Sequence, residues 1–199
     1  MAITFQYNKT SLQTLEKNLK MRVRSLPTIK NKESALRVEV KKAKADIVRL
    51  EEELENRILS YDKMLALWGE FDTSLLSVDD VRMDIKKIAG VRIPVLEEVI
   101  YTTKTFSLFN SPKWYADGLS QLKELAQVGI EREFSAKKLE LLEYARKKTT
   151  QKVNLFEKVQ IPGYEDAIRK IKRFMEDEEN LSKSSQKIVK TRQAALANE

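Results

Sequence analysis

The chain contains no cysteine and no histidine. That excludes disulfides, thiol chemistry, zinc sites built on those residues and catalysis through imidazole. A chain without cysteine is compatible with a reducing compartment. No apolar run approaches the ~20 residues that cross a bilayer. Residues 1–10 lack the apolar stretch of a secretory signal. A soluble, intracellular protein with no direct membrane insertion is expected. Glycine is scarce, at 69, 90, 118, 129 and 163. No pair has the spacing of a phosphate loop, and a dinucleotide fingerprint is equally impossible. Carboxylates are plentiful, as in Glu51, Glu52, Glu53, Glu55 and Glu176, Asp177, Glu178, Glu179. Such runs on polar helix faces read as solvated surface, and none places two acids in contrasting environments. No catalytic residue, cofactor or metal is expected, so the chain is not an enzyme by itself.

What the chain does have is a sevenfold apolar rhythm. Phe5, Leu12, Leu19, Leu26, Glu33, Val40, Ile47, Leu54, Tyr61 and Trp68 form one row, broken only by Glu33. Leu15, Arg22, Ile29, Leu36, Ala43, Leu50, Arg57 and Met64 form a second, three residues behind. Two such rows make the seam of a coiled coil. A second seam includes Leu142, Phe156, Ile171, Phe174, Leu181 and Ile188. Its nearest partner is the first helix, folded back antiparallel. Pro27 predicts a kink rather than a stop, because the phase resumes at Val40. Pro162 predicts a kinked but continuous helix.

Helix breakers crowd the centre and imply helix, irregular middle, helix. The expected fold is mainly α: a long antiparallel two-helix coiled coil with a small middle region of short helices and a β-hairpin. The expected organisation is one elongated domain, 1–199. Residues 1–68 form its N-terminal helix, 69–129 the middle region and 130–199 the C-terminal helix. Within the middle, Ser77 to Asp80 resembles a capping box that opens a short helix to about Ala89, closed by Gly90. Val91 to Leu96 and Val99 to Phe109 predict two short strands, with Pro94 at an edge. Ser111 and Pro112 predict a helix over 113–127, ended by Gly129. The hairpin at about 91–109, with Val91, Ile93, Pro94, Val99, Tyr101 and Phe106, is a candidate docking or regulatory element. A lone hairpin is marginal in water and must lean on something.

The formal charge is +7, with net positive ends and a net negative middle. Lys20, Arg22, Arg24 and Arg146, Lys147, Lys148, Lys152 form basic clusters, but no aromatic platform interleaves with them. Nucleic acid is therefore not expected as a partner. A non-catalytic coiled-coil adaptor or chaperone-like stalk protein remains open on these features.

Particular stretches narrow the choice. Ile88, Ala89, Gly90, Val91, Arg92, Ile93, Pro94 resembles the central motif of the D subunit of V-type and archaeal-type rotary ATPases. Lys148 to Ile171, notably Val153, Asn154, Leu155, Phe156, Glu157 and Ile161, Pro162, resembles that family more closely. Asn8 to Lys20 is also similar. Lys32, Glu33, Ser34, Ala35, Leu36 keeps only the ends of the family's pattern there. The resemblance implies a central-stalk rotor, itself non-catalytic, that transmits torque between ATP hydrolysis or synthesis and ion transport. Implied partners are the A and B subunits as a hexamer, the F subunit and the subunit capping the membrane ring. The implied location is cytoplasmic and peripheral to the membrane. The basic ends suggest that Lys187, Lys190 and Arg192 face the hexamer.

Overall fold

The computed structural model describes residues 3–61, 69, 71–105 and 112–196. Helix α1 spans Lys9–Ser60, strand β1 Leu76–Ile88 and strand β2 Val91–Thr103. Helix α2 spans Tyr115–Asn154, a π-helical turn Leu155–Gln160, and helix α3 Ile161–Leu196. The fold is therefore mainly helical, with one two-stranded antiparallel hairpin in the middle. Two compact units are built from these elements. One combines the residues up to Asn31 with those from Thr149, and the other holds Lys32–Lys148.

Helix α1 begins where its capping chemistry permits. The Asn8 side-chain oxygen accepts from the Ser11 backbone N–H at 2.7 Å, which satisfies one of the free donors of the first turn. The helix runs through Pro27 without a stop. Pro27 and Val23, whose carbonyl loses its partner, are both exposed, so water can satisfy the freed acceptor.

In the first unit, Leu15, Ala167, Ile168 and Ile171 are buried together. Phe5, Leu12, Leu19 and Met175 pack around them. Glu16 pairs with Lys172 at 2.8 Å and Lys30 with Glu157 at 2.7 Å. Partner numbers fall as α1 numbers rise, so these helices run antiparallel. In the second unit, Leu36, Val40, Ala43, Leu142 and Ile93 form the core, and Leu50 is also buried. Lys44–Glu143, Asp46–Lys138, Glu51–Arg132 and Arg57–Glu124 pair at 2.7–3.4 Å and again run antiparallel. Each exposed pair contributes at most about 1 kcal/mol, so burial supplies the stability and the charges fix the register.

Several expectations need correction. Residues 76–88 are a strand, not a capped helix. Ala89 and Gly90 have φ of 48° and 79°, the paired positive values of a type I′ hairpin turn. Gly90 therefore turns the chain between strands instead of ending a helix. Residues 91–103 form one strand rather than two. Pro94 lies opposite Ile85, and a two-stranded ladder leaves an open edge on which a missing N–H is tolerated. Gly129 lies inside α2 and does not end it.

Two glycine substitutions should separate space from backbone strain. Among the described residues, nothing beyond the helix's own neighbouring backbone lies within 4 Å of a methyl group added at Gly129. Gly129→Ala should stabilise the chain by about 0.5–1 kcal/mol, read as a higher urea midpoint. At Gly90 the same methyl would meet the flexible end of Lys32, and the positive φ disfavours any side chain. Gly90→Ala should cost about 1–2 kcal/mol. An unchanged midpoint would contradict the turn assignment.

Candidate functional site

The first unit contains the π-helical turn, which coincides with the most distinctive sequence stretch. Pro162 has no N–H to give to the carbonyl four residues earlier. Just before it, the Ile161 N–H donates to the Phe156 carbonyl, five residues back. The wider turn thus carries the chain into α3 without breaking its course. Helix α1 clamps this turn. Arg22 Nε donates to Gln160 at 2.7 Å, and its guanidinium lies 4.7 Å from the Tyr164 ring centroid and 5.9 Å from that of Phe156. Lys152 approaches Phe156 at 5.7 Å, and in the second unit Lys148 approaches Tyr144 at 5.5 Å. Much of the basic clustering is thus spent on aromatic faces.

Past this clamp α3 loses its cover. Helix α1 begins at Lys9, and Tyr7 is the last described ring against the seam, 4.8 Å from Phe174. Phe174 is already 44% exposed, Leu181 is 70% exposed and Ile188 55%. All three are expected seam residues; Phe174 meets Tyr7, whereas Leu181 and Ile188 lie beyond the start of α1. Lys187, Lys190 and Arg192 lie on the same exposed stretch. The remaining seam residues divide by depth. Leu15, Leu36, Val40, Leu50, Leu142 and Ile171 are buried, while Leu12, Leu19, Ile47, Leu54, Tyr61 and Phe156 are half-buried. Trp68 and Met64 fall outside the described residues.

In the second unit the hairpin packs one face on the helix pair. Ile93 is 1% exposed and joins Leu36 and Leu142, with Ile88, Val91 and Val95 beside it. The Tyr101 hydroxyl donates to the Lys123 carbonyl at 3.2 Å. Val91, Ile93 and Tyr101 therefore anchor the hairpin to its own chain, and Ile93 has no surface left for docking. Val99 and Pro94 are half-buried, and Phe106 lies outside the described residues. The sequence reading missed the opposite face. Partners directly across a ladder share a face, so Met83/Leu96, Ile85/Pro94 and Lys87/Arg92 form three outward rungs. Several charges on the helices beneath are matched. The Lys44 ammonium holds the Glu143 carboxyl below the usual carboxylate range, and Glu51 with Glu133 raises the Arg132 guanidinium. Among the described residues no helix is long and apolar enough to cross a membrane.

These features coincide with similarity along nearly the whole chain. The family model for the ATP synthase D subunit matches residues 11–191. The D subunit of the V-type ATP synthase of Borreliella burgdorferi is 31% identical over 186 residues, covering 92% of each chain. The protein of that name from Chlamydia trachomatis serovar L2 is 30% identical over 182 residues, covering 89% of this chain and 90% of that one. In Chlamydia pneumoniae the corresponding figures are 30% over 186 residues, 89% and 87%. A match that runs through α1, the hairpin, the π-helical turn and α3 leaves one assignment: this chain belongs to the family of the ATP synthase D subunit.

Proposed function

We propose that this chain is the central rotor shaft of a V-type ATP synthase. It carries torque between the nucleotide-hydrolysing or synthesising hexamer and ion transport. The chain contributes no catalytic group. Its partners are the A and B subunits, the F subunit and the subunit that caps the membrane ring, and its place is cytoplasmic, peripheral to the membrane. The observation that carries the reading is the family match over residues 11–191.

The physical properties support it. A shaft must resist twisting, and interlocked antiparallel helices do so through packed side chains. The ion pairs that cross each unit oppose sliding of one helix along the other. The exposed row Phe174, Leu181, Ile188, with Lys187, Lys190 and Arg192 beside it, would suit a sleeve of mixed apolar and acidic character. Co-expression with the A, B and F subunits tests the partners. A stoichiometric complex on size-exclusion chromatography is the expected result. Elution of this chain alone, with the A/B hexamer formed without it, would refute the assignment.

A further inference from the structure

We propose that the outward face of the hairpin is a docking surface for an amphipathic, acidic protein segment. Its three rungs run Met83/Leu96, Ile85/Pro94 and Lys87/Arg92 toward the turn. Met83 and Ile85 are 61% and 64% exposed. Single exposed apolar residues are ordinary, but these form two adjacent apolar rungs that end on a doubly basic one.

The basic rung carries the inference. Like charges directly opposite each other destabilise a ladder. Lower on the same hairpin the problem does not arise, because Arg82 lies opposite Glu98 and pairs with it at 3.1 Å. At the tip, Lys87 and Arg92 have no ion pair among the described residues, nor do Lys86 and Lys32. Lys32 lies at the turn itself, its Nζ 3.2 Å from where a methyl on Gly90 would stand. Four cations thus gather at one end of the hairpin, none of them in an ion pair among the described residues; the nearby Asp84 carboxylate accepts instead from the Ile85 backbone N–H. A partner with apolar side chains followed by Asp or Glu would cover the rungs and relieve the repulsion together.

A protein segment fits this surface better than an anionic bilayer. The far half of the hairpin carries Asp79, Asp80, Glu97 and Glu98, all exposed. A bilayer of one charge sign would repel that half while attracting the tip. A folded partner can match both.

The inference does not rest on the shaft reading, and its test is arranged in two parts. A photo-reactive phenylalanine replaces Ile85 in the full chain, which is assembled with the A, B and F subunits. Crosslinks should concentrate on one protein segment bearing Asp or Glu. Their yield should fall about tenfold in a Lys87→Glu/Arg92→Glu background and recover when the contacted acids are changed to Lys. Crosslinks to a segment without carboxylates, to a second copy of this chain or to lipid would overturn the proposal. So would an unchanged yield after charge reversal. Failure of the subunits to assemble counts against the shaft reading instead. In that event the isolated chain decides: a helical peptide of about 18 residues, with leucine on one face and glutamate beside it, should shift the methyl resonance of Met83. Its lysine counterpart should not, and equal shifts or none would overturn the inference.

Discussion

Leu142→Ala should lower the unfolding free energy of the isolated chain by about 3–5 kcal/mol, the upper part of the large-to-small range. Leu142 has 0% exposure and lies where three elements meet. Leu36, Val40 and Ala43 approach from α1, and Ile93 from β2. Truncation leaves a cavity that both the helix pair and the hairpin border, and neither can close it without moving the other. Leu54→Ala and Phe156→Ala, at half-buried seam positions, should cost about 1–2 kcal/mol, because water already reaches part of each side chain. Urea denaturation followed by far-ultraviolet circular dichroism ranks the three. Equal losses would mean that the hairpin adds nothing to the seam beneath it.

The exposed end of α3 should behave in the opposite way. Leu181→Asp/Ile188→Asp should leave the melting of the isolated chain within about 0.5 kcal/mol of wild type, since surface changes away from packing cost little. The same double substitution should weaken assembly with the A/B hexamer by more than about tenfold, because a carboxylate would be forced into an apolar contact. Charge reversal at Lys187, Lys190 and Arg192 should weaken assembly as well, more at low salt than at moderate salt. Assembly unaffected by either set would remove this stretch from the interface. Loss of stability in the isolated chain would mean that α3 is covered along its exposed row.

The helices were legible because their signal is long. A sevenfold row repeated from Phe5 to Tyr61 outweighs one proline and one glutamate. Glu33, its only polar member, is largely covered and pairs with Arg37 at 3.0 Å. The depth of burial was less legible, because periodicity marks a stripe without saying where its partner begins. Leu181 and Ile188 keep the sevenfold rhythm of Phe174 but have no turn of α1 opposite them. The hairpin was misread for a specific reason. Val78, Val81, Ile85 and Ile88 fall at the spacing of an amphipathic helix. Register shifts between Val78 and Asp80 and between Arg82 and Met83 interrupt the ladder, and the simple alternation of a strand is lost with them. The outward rungs were hidden for the same reason, since they exist only once the two strands are placed in register. Gly129 misled because a single glycine costs about 1 kcal/mol, too little to interrupt a helix of 40 residues.

Rotation itself is the most direct test of the shaft reading. The sequence has no cysteine, so one introduced at exposed Lys104 can carry a single bead. With the A/B hexamer fixed to a surface and ATP supplied, the bead should turn continuously in one direction and stop when ATP is removed. Sustained ATP hydrolysis by the same immobilised complexes with the bead at rest would contradict torque transmission through this chain.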